Sequence, residues 1–166
     1  MPYANTNSVV AADLNNMVRG LYRDNTSHAV TGTTDETTMG TVSITAGTIT
    51  ATGALHIIAA GTGANVGGTA KTIKLYLGAT AVATVSRTGA NAQDWMIDAW
   101  CFNTTAAAQR WVIYHSTADA VTLTADYTTS AIDTASAAIL KCTATLTGAT
   151  ETVTQTAFDV FVVQVT

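Results

Sequence analysis

The stretch KTIKLYLGATAVATVS, residues 71–86, decides how the rest of the chain is read. Ile73, Leu75 and Leu77 alternate with Lys74 and Tyr76, a period of two that sets one apolar and one polar face on an extended strand. Gly78-Ala79-Thr80 then gives a tight connection, and Ala81 to Ser86 resumes the alternation as the second arm of a hairpin.

The same period runs outward in both directions. Upstream it predicts strands at Met39–Thr45, with Val42 and Ile44 on one face, and at Ala54–Ala60. Downstream it predicts Asp94–Asn103, Gln109–His115, Ala120–Tyr127, Ala138–Leu146 and a long last strand over Gln155–Val165. In the second of these, Trp111 and Ile113 lie opposite Arg110, Val112 and Tyr114. About nine strands result, separated at short intervals by turn-rich segments. No helical pattern falls between them, so parallel βαβ units are unsupported. The fold class is all-β, an antiparallel β-sandwich of jelly-roll type.

The first thirty residues differ. In VVAADLNNMVRGLYRDN the apolar positions Val10, Leu14, Met17, Val18 and Leu21 recur as one face of a helix. Ser8 suits an N-cap, Asp13 the positive N-terminal end, and Arg19 and Arg23 the negative C-terminal end, while Gly20 weakens the pattern. The expected division is therefore an N-terminal arm with a short helix over residues 1–31 and a β-sandwich domain over 32–166.

Composition supports the strands and limits the function. Ala and Thr together exceed a third of the 166 residues, only 11% are charged, and there is one proline. Thr is β-branched and tolerates either a packed or a wet face, so such a chain favours sheet. So few charges suggest a surface largely covered by other subunits. Seven Lys and Arg against eleven Asp and Glu, with no basic stripe, argue against a nucleic-acid partner. No apolar run reaches bilayer-spanning length, and the polar opening MPYANTNS has no signal-peptide pattern. A soluble protein with no membrane partner is expected.

Chemistry-bearing motifs are sparse. GTGANVGGTAKT, residues 61–72, resembles a phosphate loop, but Ala70 stands where Gly must precede the Lys, and a strand follows where a helix must open. His28, His56 and His115 have no second ligand at metal spacing. Carboxylate pairs could be drawn from Asp94, Asp98, Asp119, Asp126, Asp133 and Asp159, though most read as loop or solvent-facing positions, and Asp98 and Asp159 need partners if buried. Cys101 and Cys142 read as buried free thiols. The expectation is a protein that is not an enzyme, with no catalytic residues, no cofactor and no metal.

Aromatic residues cluster at Trp95, Trp100, Phe102, Trp111 and Tyr114, and again at Phe158 and Phe161. Most belong to a core. Trp95 and Trp100, however, have opposite parity along one strand, so one of them faces outward. Trp100 is the candidate outward aromatic.

The segments ADLNNMVRGLYRDNTSHAVTGTTDETTMGTVSITAG, GALHIIAAGT, GTAKTIKLYLGATAVATVS and TATLTGATETVTQTAFDVFVVQV together resemble a β-sandwich module of tailed-bacteriophage virion proteins. In that module a TTxETT-like segment enters the first strand, a GAL-like strand and a GTKTIRLxxGG-like hairpin follow, and a long terminal strand closes the sheet. The Trp-rich centre and the lack of a fibre shaft depart from it. The resemblance implies a jelly-roll subunit, usually trimeric, found in capsid decoration (cement) proteins and in host-contacting fibres or spikes. It points to a virion structural protein that is made in the bacterial host cytoplasm and placed on the outer capsid surface. Its partners would be itself, as a homotrimer, and the major capsid protein or another virion protein. The alternative is a tail-fibre or spike tip that binds a receptor or surface carbohydrate, with Trp100 stacking on sugar. The arm, through Val9, Val10, Leu14, Met17, Val18, Leu21 and Tyr22, either packs on a neighbouring subunit or the lattice, or caps its own sandwich.

Overall fold

The computed structural model describes residues 18–64, 70–88, 93–116 and 123–164. Within them the chain forms strands β1 (Val18–Asp24), β2 (His28–Thr31), β3 (Thr37–Ile44), β4 (Ala54–Ala64), β5 (Lys71–Leu77) and β6 (Thr80–Arg87). There follow β7 (Gln93–Thr105), β8 (Ala108–Ser116), β9 (Leu123–Ser130), β10 (Ala138–Leu146) and β11 (Thr152–Val163). The larger sheet has the order β1-β11-β4-β7-β8-β9, with β2 also on β11, and the smaller has the order β3-β10-β5-β6. Every pairing is antiparallel.

The two inner faces share one core. Leu55, Ile57, Trp95, Ile97, Trp111, Ile113, Phe158 and Val160 come from the larger sheet, and Ile73, Leu75, Leu77, Val85, Leu140 and Leu146 from the smaller; all are essentially inaccessible. The period of two expected over residues 71–86 is present. Ile73, Leu75 and Leu77 are buried, and Gly78 occupies a left-handed conformation (φ 61°) at the first central position of the turn. Cys101 and Cys142 are free thiols on strands β7 and β10, and burial pushes both up to about 12.

Sequence and structure part at the N-terminus. The second half of the expected helix, from Val18 through Leu21, is strand β1, paired with β11 from Val18↔Val163 to Asp24↔Phe158. β2 continues along the same edge, from His28↔Gln155 to Thr31↔Thr152. The cause is tertiary. β11 is twelve residues long, and one of its edges would carry a row of unpaired backbone groups without this partner. Val18 is β-branched and Gly20 is a poor helix residue, so little local preference opposes the pairing.

A register shift between Gly20 and Tyr22 breaks the alternation there. It lets the consecutive residues Leu21 and Tyr22 both pack against the core, with the Tyr22 ring edge-on to Phe158 at 5.9 Å. The break between β1 and β2 is fixed by Asp24, whose carboxylate accepts from the Thr26 backbone N–H (2.8 Å) and pairs with His28 Nε2 (2.7 Å). Those contacts hold its carboxyl below the usual range, the Thr26 N–H most strongly. Other boundaries move by a few residues: the strand expected from Ala120 to Tyr127 extends to Ser130, and the last strand starts at Thr152.

Candidate interaction face

The sandwich has two outer faces, and they differ in kind. On the smaller sheet the outer face is polar. Thr143 Oγ1 donates to Glu36 Oε1 (2.7 Å), Lys74 Nζ lies 3.2 Å from Glu36 Oε2, and the Lys141 ammonium sits 4.7 Å from the centroid of the Tyr76 ring. The Thr143 hydroxyl is the main reason the Glu36 carboxyl is held low; the same carboxylate raises Lys74.

The outer face of the larger sheet is aromatic. Register sets Gly20, Phe161, His56, Trp100, Val112 and Tyr127 in one row across six strands. The adjoining row holds Val18, Val163, Ala54, Phe102, Arg110 and Thr129. Within these rows Trp100 stacks on His56, with centroids 4.1 Å apart and planes 10° apart, and on Phe102 at 5.9 Å and 10°. His56 also stacks with Phe161 at 5.8 Å. His56 Nε2 is 2.8 Å from Asp98 Oδ1, which fixes the imidazole from one strand away. Among the described residues five large apolar side chains remain exposed, and of these Val18, Phe102, Tyr114 and Tyr127 lie on this face.

The expectation that Trp95 and Trp100 point to opposite faces is met: Trp95 is 2% exposed in the core, and Trp100 is on the outer face, half-buried by its ring neighbours. Of the arm residues, Val9, Val10, Leu14 and Met17 lie outside the described residues. Val18 is 60% exposed at the edge of the aromatic face, whereas Leu21 and Tyr22 are committed to the protein's own core. His56, Arg110, Tyr127 and Phe161 join Trp100 although sequence reasoning did not group them with it, as does Phe102, which the sequence placed only in the same aromatic cluster. Phe102 has the parity of Trp100 and could have been found by alternation alone. The others are brought there by register between strands far apart in sequence.

One end of this face is backed by a polar framework. Gln109, 2% exposed, donates from Nε2 to the Ile132 carbonyl, and its Oε1 accepts from the Ile132 N–H and from Ser130 Oγ, all at 2.9 Å. Trp111 Nε1 donates to the same Ser130 Oγ (2.9 Å), and Asn103 Nδ2 donates to the Thr50 carbonyl and to Thr134 Oγ1. Asn103 and Gln109 directly neighbour Phe102 and Arg110 in sequence and point the other way, so this inner network holds the backbone that presents those two side chains.

Each described histidine is paired with a carboxylate: His28 with Asp24, His56 with Asp98, and His115 with Asp126. Among the described residues no group of three His, Cys, Asp or Glu is placed to hold a metal ion, and no helix is long and apolar enough to cross a membrane.

No family model matches the chain, and no curated protein matches it. A chain from the structure of infectious bursal disease virus, Gx strain, is similar over 88% of this chain, with 16% identity and a TM-score of 0.30. This chain spans 38% of that one. The functional reading therefore rests on the geometry of the outer faces.

Proposed function

We propose that the chain is a structural subunit of a tailed-bacteriophage virion, a jelly roll that self-associates as a trimer on the outer surface of the head shell and acts there as a decoration protein. The strand order supports the jelly-roll part of this reading. With β1 and β2 taken as one interrupted strand, the four positions β1/β2-β11-β4-β7 face β3-β10-β5-β6. Eight strands so arranged give the two four-stranded sheets of a jelly roll, and β8 and β9 add a hairpin that widens one sheet.

The observation that carries the structural role is the aromatic outer face. A row running from Phe161 through His56 to Trp100, at the β11-β4-β7 end of the face, is an apolar surface for a chain with so few charges. Aromatic side chains at the centre of a patch are what stable subunit contacts use. In this reading the apolar arm residues Val9, Val10, Leu14 and Met17 belong to the same contact as the exposed Val18. Interfaces repeated by symmetry stabilise a shell by mass action, and no catalytic group is needed.

As a platform for sugar, Trp100 is poorly placed, because the ring contacts a sugar would make are already made by His56 and Phe102. Copy number tests the decoration role: quantitative mass spectrometry of purified particles should give hundreds of copies per virion, and a few tens or fewer would overturn it. Native mass spectrometry should show a trimer that weakens on Trp100→Ala or on deletion of residues 1–17, and a stable monomer would overturn self-association.

A further inference from the structure

A second feature of the aromatic face is a depression of about 680 Å³ at its β7-β8-β9 end, lined by Phe102, Thr104, Arg110, Val112, Tyr127 and Thr129, among others. We propose that it is a binding site for a carboxylate-bearing saccharide, of the hexuronic or sialic acid class. This goes beyond the shell-stabilising role and does not depend on it.

Three observations converge on that ligand. Arg110 is exposed, and among the described residues no carboxylate lies within ion-pair distance of it. In a chain with so few cations, an unpaired guanidinium set between an aromatic ring and threonines is a fork-shaped donor suited to a planar carboxylate. Phe102 is directly opposite Arg110 on one side and Thr129 on the other, with Tyr127 diagonal to it. β7 and β9 are two strand spacings apart, about 10 Å, which leaves room for one pyranose ring between Phe102 and Tyr127.

Both rings offer surface, since Phe102 is 41% and Tyr127 75% exposed. The C–H face of a sugar packs on such rings, while its hydroxyls find the polar rim of Thr104 and Thr129. The site is also preorganised. Asn103 and Gln109, inward-facing neighbours of Phe102 and Arg110, are tied down by the buried network described above, so the two binding side chains stand on a fixed backbone.

The test uses the full chain in its native oligomeric state and isothermal titration with four probes: a hyaluronan tetrasaccharide, sialyllactose, the neutral cellotetraose and sodium acetate. One or both acidic saccharides should bind with a Kd of about 1 mM or tighter, and cellotetraose about tenfold more weakly. Acetate alone should not bind in this range, having no ring to stack. Arg110→Gln and Tyr127→Ala should each weaken the acidic saccharide about tenfold, and Ile139→Ala, exposed on the outer face of the smaller sheet, should leave it within about threefold. Arg110 and Tyr127 are exposed, so these variants should fold, which far-UV circular dichroism checks. The proposal is overturned if neither acidic saccharide binds, if cellotetraose binds equally well, or if Arg110→Gln has no effect. It is also overturned if Arg110→Gln dissociates the oligomer, which would make the depression a subunit contact.

Discussion

The indole of Trp100 lies parallel to the imidazole of His56, their centroids 4.1 Å apart, on directly opposed positions of β7 and β4. Trp111, on β8, is 1% exposed and anchored by its Nε1 to Ser130. Two tryptophans on adjacent strands of one sheet therefore do different work.

Truncating them should separate the two roles. Trp100→Ala loses a surface stack and should cost about 1 kcal/mol of protomer stability, the usual worth of an aromatic pair. Trp111→Ala empties a core position and removes one of the two hydrogen bonds of the Ser130 hydroxyl, which keeps its bond to Gln109 Oε1, and should cost about 3–5 kcal/mol. Urea denaturation of both variants gives the comparison, and equal losses would mean that Trp100 is a core residue.

Gly61 and Gly20 make a second contrast within the larger sheet. A Cβ on Gly61 would come 2.8 Å from the Thr154 carbonyl carbon and 2.9 Å from Gln155 Cα, and closer still to the Thr154 oxygen. These are backbone atoms of β11, which cannot swing aside as a side chain would. Gly20 has nothing within 4 Å of such a Cβ. Gly61→Ala should thus destabilise by more than about 2 kcal/mol through overpacking, while Gly20→Ala stays within about 0.5 kcal/mol of the parent. Thermal unfolding of the pair decides it.

The acid limb of stability should respond to Glu36. Its carboxyl is held below the ordinary value by the Thr143 hydroxyl first, and by the Tyr76 hydroxyl and Lys74 after it. A depressed carboxyl contributes stability that is fully present above its unfolded value, near 4.5, and is lost as pH falls through the lower folded value. Because the group is partly exposed, solvent screening limits the contribution to about 1 kcal/mol or less. Thr143→Val should bring the carboxyl back toward its ordinary value more than Lys74→Met does, as read by NMR titration of the Glu36 side chain. The reverse order would put the ion pair first.

How far this molecule was legible in its sequence depended on where the deciding partner lies. The β5-β6 hairpin is local: Ile73, Leu75 and Leu77 show their face by alternation, and Gly78 marks the turn. β1 is not local, since its partner β11 lies about 140 residues on, and an apolar spacing that also fits a helix was overridden by an unpaired edge. The aromatic face was half legible. Parity along one strand set Trp95 and Trp100 on opposite faces and singled out Trp100 as the outward one, but the meeting of His56, Trp100, Val112 and Tyr127 is a matter of register across four strands. Thr-rich strands state register weakly, because Thr is content on either face.

At the opposite end of the core, Lys71 and Glu151 form an ion pair of 3.2 Å with both side chains 1% exposed. Alternation alone would have placed Lys71, which is in phase with Ile73, among apolar neighbours, and it is there. The carboxylate is further engaged by the Gly148 backbone N–H (3.0 Å), which ties the turn before β11 to the pair. Removing one partner leaves the other charge buried and uncompensated, so Lys71→Met and Glu151→Leu should each destabilise by about 3–5 kcal/mol. The double variant should recover much of that loss, because the desolvation of both charges is relieved together, giving a large positive coupling in a double-mutant cycle. Denaturant titrations of the four proteins measure it. Simple additivity would mean that the two side chains reach water separately and that their contact carries no energy.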